Sequence, residues 1–187
     1  MATSNLVSVG KPAVAGAIFV APLGTSLPTT ANATLNASFT DLGYASEDGV
    51  TNNMAKESSV IKAWGGDDVL PLQTGFSDTF SFTLIESLNV DVLKTVFTTS
   101  NVSGTLATGI AVSVDGAENP QMSWVIDTYL RDGGKRRIVI PSASITELAE
   151  VTYKDDTVIG YNVTLRAMRD SSGKAHYEYT LRPVPAS

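Results

Sequence analysis

The chain contains no cysteine and only one histidine, His176, in 187 residues. Without thiols there is no disulfide scaffold, no cysteine nucleophile, no Cys-ligated zinc and no iron–sulfur cluster. One imidazole leaves no room for His-rich metal sites or paired-histidine catalysis. No window approaches the roughly 18 consecutive apolar residues of a membrane-spanning helix. Cations are scarce as well: 13 Lys and Arg stand against 19 Asp and Glu, a formal net charge of −6. That balance opposes tight binding to phosphate backbones, which needs clustered Lys and Arg. The apolar stretch from Pro12 to Leu23 makes a poor signal peptide, because Gly16 and Pro22 interrupt it and Lys11 is the only side-chain cation ahead of it. It reads instead as a strand bounded by Gly and Pro.

What is present is β-branched and aromatic residues alternating with polar ones, between clusters of Gly, Asn, Asp and Pro. The length suits one domain, expected over 14–182, with terminal arms over 1–13 and 183–187. Strands are expected at 17–21, 39–45, 59–64, 79–86, 109–114, 122–131, 136–141, 145–153, 158–168 and 175–181. In 79–86 the residues Phe80, Phe82 and Leu84 share one face, with Thr79, Ser81 and Thr83 on the other. The run Arg131-Asp132-Gly133-Gly134-Lys135 carries an Asp-Gly turn signal joining two strands into a hairpin. Asn32, Asn36, Asn101 and Asn162 open Asn-x-Ser/Thr triplets, which a chain this rich in Ser and Thr contains by chance.

One segment has helical spacing. Val90, Leu93 and Phe97 fall at i, i+3 and i+7, Asn89 suits an N-cap, and Asp91 lies in the first turn, where the helix dipole favours an acid. So short a helix must pack on the sheet to persist. The fold class expected is therefore mostly β, an antiparallel sandwich or barrel-like domain with one flanking helix. Two stretches fit no core element and are expected as loops: 24–38, and a long central loop over about 46–77 broken by a short strand near Trp64.

No phosphate-binding Gly loop and no Gly-x-Ser-x-Gly elbow occurs, so no enzyme is expected. Gly65-Gly66-Asp67-Asp68 and Asp155-Asp156 read as solvated turn acids rather than a Ca²⁺ or Mg²⁺ site. Neither a metal nor a cofactor is expected. His176 has Glu178 two residues on, geometrically a possible pair on one strand face, and is read as a surface or interface histidine. Lys135, Arg136 and Arg137 form the only basic cluster and read as a charged subunit contact. Trp64 beside Gly65-Gly66 reads as a core or interface anchor. In 158–168 the polar set Asn162, Thr164 and Arg166 opposes Ile159, Tyr161, Val163 and Leu165, and is expected to face a lumen or solvent.

The order Gly43-Tyr44-Ala45-Ser46-Glu47-Asp48-Gly49-Val50, then Ile61-Lys62-Ala63-Trp64-Gly65-Gly66-Asp67, then Phe80 to Lys94 resembles the major tail tube protein of long-tailed, siphovirus-type bacteriophages. The resemblance implies a structural virion protein made in the host cytoplasm. Its copies close into hexameric rings that stack into a tube for double-stranded DNA ejection. It also implies partners: further copies of itself, a tape measure protein, a tail terminator, and baseplate or tail-tip proteins. Contacts between subunits and rings would fall on the central loop, with Glu47, Asp48, Asn52, Asn53, Lys62, Trp64, Asp67 and Asp68, and on the arms. A −6 subunit in six copies would make an acidic ring that repels DNA. A decoration or receptor-binding β-sandwich is the alternative.

Overall fold

Alternation in the sequence becomes a two-sided antiparallel sheet in the computed structural model, which describes residues 7–12, 16–130 and 133–182. Its strands are β1 (Gly10–Pro12), β2 (Ile18–Pro22), β3 (Thr40–Asp41), β4 (Ala45–Lys62), β5 (Asp68–Leu84), β6 (Val102–Thr105), β7 (Gly109–Val112), β8 (Met122–Leu130), β9 (Lys135–Leu148), β10 (Tyr161–Ala167) and β11 (Tyr177–Leu181). One helix, α1 (Val90–Phe97), follows β5. The main sheet runs β3-β2-β8-β9-β10-β5-β4, while β6 and β7 pair separately. β9 is long enough to take β11 against residues 135–139 and β10 against 143–148 on the same side. β8 likewise pairs β2 with its first half and β1 with its last residues. The architecture is mostly antiparallel β with a sandwich-like packing and one helix, as expected.

The buried side chains come from the strand faces predicted to be apolar. Phe80, Phe82 and Leu84 of β5 meet Val163 and Leu165 of β10, Trp124 and Ile126 of β8, Ile140 of β9 and Ile18 of β2. α1 closes this layer with Val92, Leu93 and Val96. Its N-cap is Asn89, whose side-chain oxygen accepts from the Asp91 N–H at 3.0 Å. Pro141 does not interrupt β9, because it lies at an irregularity in the β8–β9 register where no ladder N–H is required.

Three expectations are corrected. The central segment 46–77 is not a loop. It is the greater part of a β4–β5 hairpin paired from Val50↔Phe82 to Lys62↔Asp68. The short strand placed at 59–64 is the far end of that hairpin. Residues 10–12, assigned to an arm, form β1 and pair with β8. Within 136–153, one strand to Leu148 replaces two, since Ser142 to Ser144 continue the ladder. Of the expected arms, residues 1–6, 13 and 183–187 lie outside the described residues, as does the Arg131-Asp132 pair.

Candidate functional site

The hairpin splits into two zones along its length. Near the body its inner face is buried on β5 and half-buried on β4: Val50 lies opposite Phe82 and Asn52 opposite Phe80. Beyond Glu57 every residue on both strands is exposed, through the turn and back to Thr74. This outer part is nevertheless apolar. Val60, Ile61, Val69, Leu70 and Leu72 are all exposed, with Ile61 directly opposite Leu70. At the tip, Trp64 is 104% exposed, its indole standing fully in solvent. The tip closes through Ala63 N–H to the Asp67 carbonyl at 2.8 Å and Gly66 N–H to the Ala63 carbonyl at 2.9 Å. Gly66 supplies the positive φ of 93° that this turn needs. Ladder hydrogen bonds hold the outer hairpin together, and among the described residues none of its side chains is buried against the body.

Its base is fixed by a polar cluster that the sequence reading did not find. Asp78 is 1% exposed and in phase with Phe80 and Phe82, so its carboxylate points inward among apolar neighbours. Asn52 Nδ2 donates to its Oδ1 at 2.7 Å, and His176 Nδ1 lies 2.5 Å from its Oδ2. The imidazole also stands edge-on to Phe80, with ring centroids 5.2 Å apart. Glu178, the partner suggested by spacing, is 3.8 Å from Nε2 and is secondary. The missed signal was an acid at a core-phase position: a buried carboxylate requires donors, and the only histidine supplies one. Beside this cluster Asp170 accepts from the Tyr177 hydroxyl at 2.6 Å and from the Ser172 and Lys174 N–H groups. Those donors hold its pKa below the usual carboxylate value and, in return, raise that of Tyr177.

The candidate residues disperse over three places. Lys62, Trp64, Asp67 and Asp68 gather at the hairpin tip, where Lys62 pairs with Asp68 at 3.1 Å. Glu47 and Asp48 lie at the opposite end of β4, in the irregularity between Ala45 and Val50, and do not join them. Asn52 belongs to the buried base, while Asn53 faces outward opposite Thr79.

The basic cluster, expected at a subunit contact, is paired within the chain. Arg137 is 2% exposed and bound to Asp127, which also pairs with Lys135 at 2.7 Å. Arg136 pairs with Glu178. The reason is register: β8 sets Asp127 opposite Arg137, a pairing invisible to a count of adjacent cations.

The polar set on β10 alternates with a buried one. Asn162 and Arg166 are exposed, alternating with buried Tyr161, Val163 and Leu165. Asn162 Nδ2 donates to Thr83 Oγ1 at 2.9 Å, and the hydroxyls of Thr164 and Ser81 are 3.0 Å apart. Thr79, Ser81 and Thr83 thus continue the polar surface across β5. On the β9 side, Glu147 lies opposite Thr164 and Ser144 opposite Arg166. Over β10 and the segments paired with it, this face carries hydroxyls, amides and one charge of each sign.

No helix among the described residues is long and apolar enough to cross a membrane. No curated protein sequence matches the chain. A family model described as phage tail tube protein matches residues 3–182. A mostly antiparallel β domain with one short helix and an unpartnered apolar hairpin suits a subunit that assembles, and the chain belongs to the phage tail tube protein family.

Proposed function

We propose that this chain is the tube-forming subunit of a long-tailed phage. Its copies close into rings, hexameric on the pattern the resemblance implies, and the rings stack into the conduit for double-stranded DNA ejection. The tape measure, terminator and tail-tip proteins are its proposed partners inside and at the ends of that tube.

The observation that carries this reading is the outer hairpin. Burial of one Val, Leu or Ile side chain contributes about 1.5–3 kcal/mol. Five of them exposed on one projection, with a bare Trp64 at its tip, are a large unsatisfied apolar surface for a monomer. β4 is also the end strand of the sheet, so its outer edge is open to pairing. A projecting element that meets a different surface on the next copy gives a heterologous contact, which closes rings or propagates as a filament.

The polar face of β5, β10 and β9 is the proposed lumen wall. Its hydroxyls and amides offer DNA no cation cluster, and Arg166 is offset by Glu147. Passage without retention then follows from a near-neutral wall, rather than from the acid-lined channel that the −6 total suggested.

The test is to replace residues 58–74 with a two-residue Asn-Gly turn between the paired Glu57 and Gly75, and examine concentrated protein by negative-stain microscopy and circular dichroism. The expected result is a folded monomer that makes no tubes. Normal tubes from this variant would overturn the assignment. A small closed oligomer from the unaltered chain, with no tubes at any concentration, would favour the decoration or receptor-binding module instead.

A further inference from the structure

The base of the hairpin holds a second surface, different in kind from the tip. A shallow cleft of about 350 Å³ is lined by Lys56 of β4, Phe76 and Asp78 of β5, Arg169 after β10, and Lys174 and His176 before β11. Lys56, Arg169 and Lys174 are exposed, and none forms an ion pair among the described residues. The Arg169 guanidinium lies over the Phe76 ring, 5.5 Å from its centroid. The acids nearby are already engaged: Asp78 by Asn52 and His176, Asp170 by Tyr177 and two N–H groups. In a chain of net charge −6, three exposed cations over an aromatic floor, of which only Lys174 interacts with a nearby acid, Asp170, make a local site for an aromatic, acidic group.

The hairpin tip is such a group. Trp64 is bare, Gly65 and Gly66 add no bulk, and Asp67 has no cation partner among the described residues, because Lys62 pairs with Asp68. We propose that the Trp64–Asp67 tip of one copy seats in the Lys56–Phe76–Arg169–Lys174 cleft of the next. The tip cannot occupy its own cleft, since strand from 56 to 64 at about 3.3 Å per residue spans roughly 26 Å. Tip and cleft are different patches, so the contact is head-to-tail and repeats along the hairpin direction. This inference rests on the tube-subunit reading and names the acceptor surface within it.

The test combines charge reversal with cross-linking. Lys56→Glu/Lys174→Glu is expected to stay folded by circular dichroism, while the concentration needed for tubes rises at least tenfold. Mixing it with Asp67→Lys restores tubes, because each reversed cleft then meets a reversed tip. In the cysteine-free chain, Asp67→Cys/Lys174→Cys should give a ladder of disulfide-linked multimers on a non-reducing gel. Tubes from the charge-reversed variant at the unaltered concentration, or tubes of the cysteine variant without a ladder, would overturn the contact and leave the tube reading standing. A ladder from a chain that never forms tubes would do the reverse. A fluorescent 30-base-pair duplex retained by the unaltered monomer and released by the charge reversal, with tube formation unchanged, would assign the cleft to phosphates and also overturn the proposal.

Discussion

Arg137 grips Asp127 at two points across the β8–β9 pair, Nε to Oδ1 at 2.7 Å and Nη2 to Oδ2 at 2.8 Å. Its remaining Nη1 reaches the Ala33 carbonyl at 2.5 Å, which ties the 24–38 loop to the sheet. Arg137→Met strips one partner from a buried charge pair, a change worth about 3–5 kcal/mol in general. The loss here is expected near the low end, about 3 kcal/mol, because Lys135 stays on the Asp127 carboxylate. Arg137→Lys should recover little of it, since an ammonium cannot reproduce the fork. Urea unfolding measures all three proteins, and an Arg137→Met loss below about 1 kcal/mol would show the pair to be dispensable.

Thr98, just after α1, has φ 67° and ψ 150°, the one positive φ among the described non-glycine residues. Such a conformation costs on the order of 1–3 kcal/mol for a residue with a Cβ. Thr98→Gly removes that cost and gives up an exposed hydroxyl contact with Ser100. The expected outcome is a Tm higher by roughly 2–4 °C, as about 1 kcal/mol shifts a domain of this size. A lower Tm would mean that the hydroxyl contact outweighs the strain.

Two carboxylates give opposite pH signatures. Asp41 is pushed above the usual value by burial first, with Glu86 adding repulsion, although the Gly43 N–H partly offsets this. Its native state holds the proton more tightly than the unfolded chain, so its ionisation disfavours folding at neutral pH and the penalty fades as pH falls through its raised value. Asp41→Asn keeps an acceptor for Gly43 N–H and should therefore raise Tm at pH 7, with the gain shrinking toward about pH 4. Asp170 runs the other way: its stabilisation is complete above the ordinary carboxylate value and is lost as pH falls through its lowered one. Asp170→Asn should accordingly lower Tm at pH 7 and converge on the unaltered protein in acid. Tm profiles from pH 3 to 8 separate the two.

The parts of the fold with one buried face were legible in the sequence. Phe80, Phe82 and Leu84 alternate because the core takes every second side chain of β5, and Tyr161, Val163 and Leu165 alternate for the same reason. α1 was readable from Asn89 and its apolar spacing. The outer hairpin was not, because neither of its faces is buried in the monomer and so no periodicity is imposed on Ser58 to Lys62 or Asp68 to Gln73. Its pairing is a backbone property, set by register from the buried base. The Asp127–Arg137 and Asp78–His176 pairs were hidden for a related reason: each joins residues whose proximity exists only after strands have paired.

Trp64 separates folding from assembly. It is fully exposed, so Trp64→Ser should leave monomer stability within about 0.5 kcal/mol of the unaltered chain. If the indole is buried between copies in the tube, the same change removes an aromatic anchor, typically worth about 2 kcal/mol or more. The concentration needed for tubes should then rise about 30-fold, the factor to which 2 kcal/mol corresponds. Fluorescence gives an independent readout, because the chain has two tryptophans and Trp124 is already 1% exposed in the monomer. With Trp124→Phe as background, Trp64 is the sole indole, and its emission should shift to the blue as tubes form. Tubes that assemble with an unshifted, water-like emission would show Trp64 still facing solvent, and the tip would then not be a contact between copies.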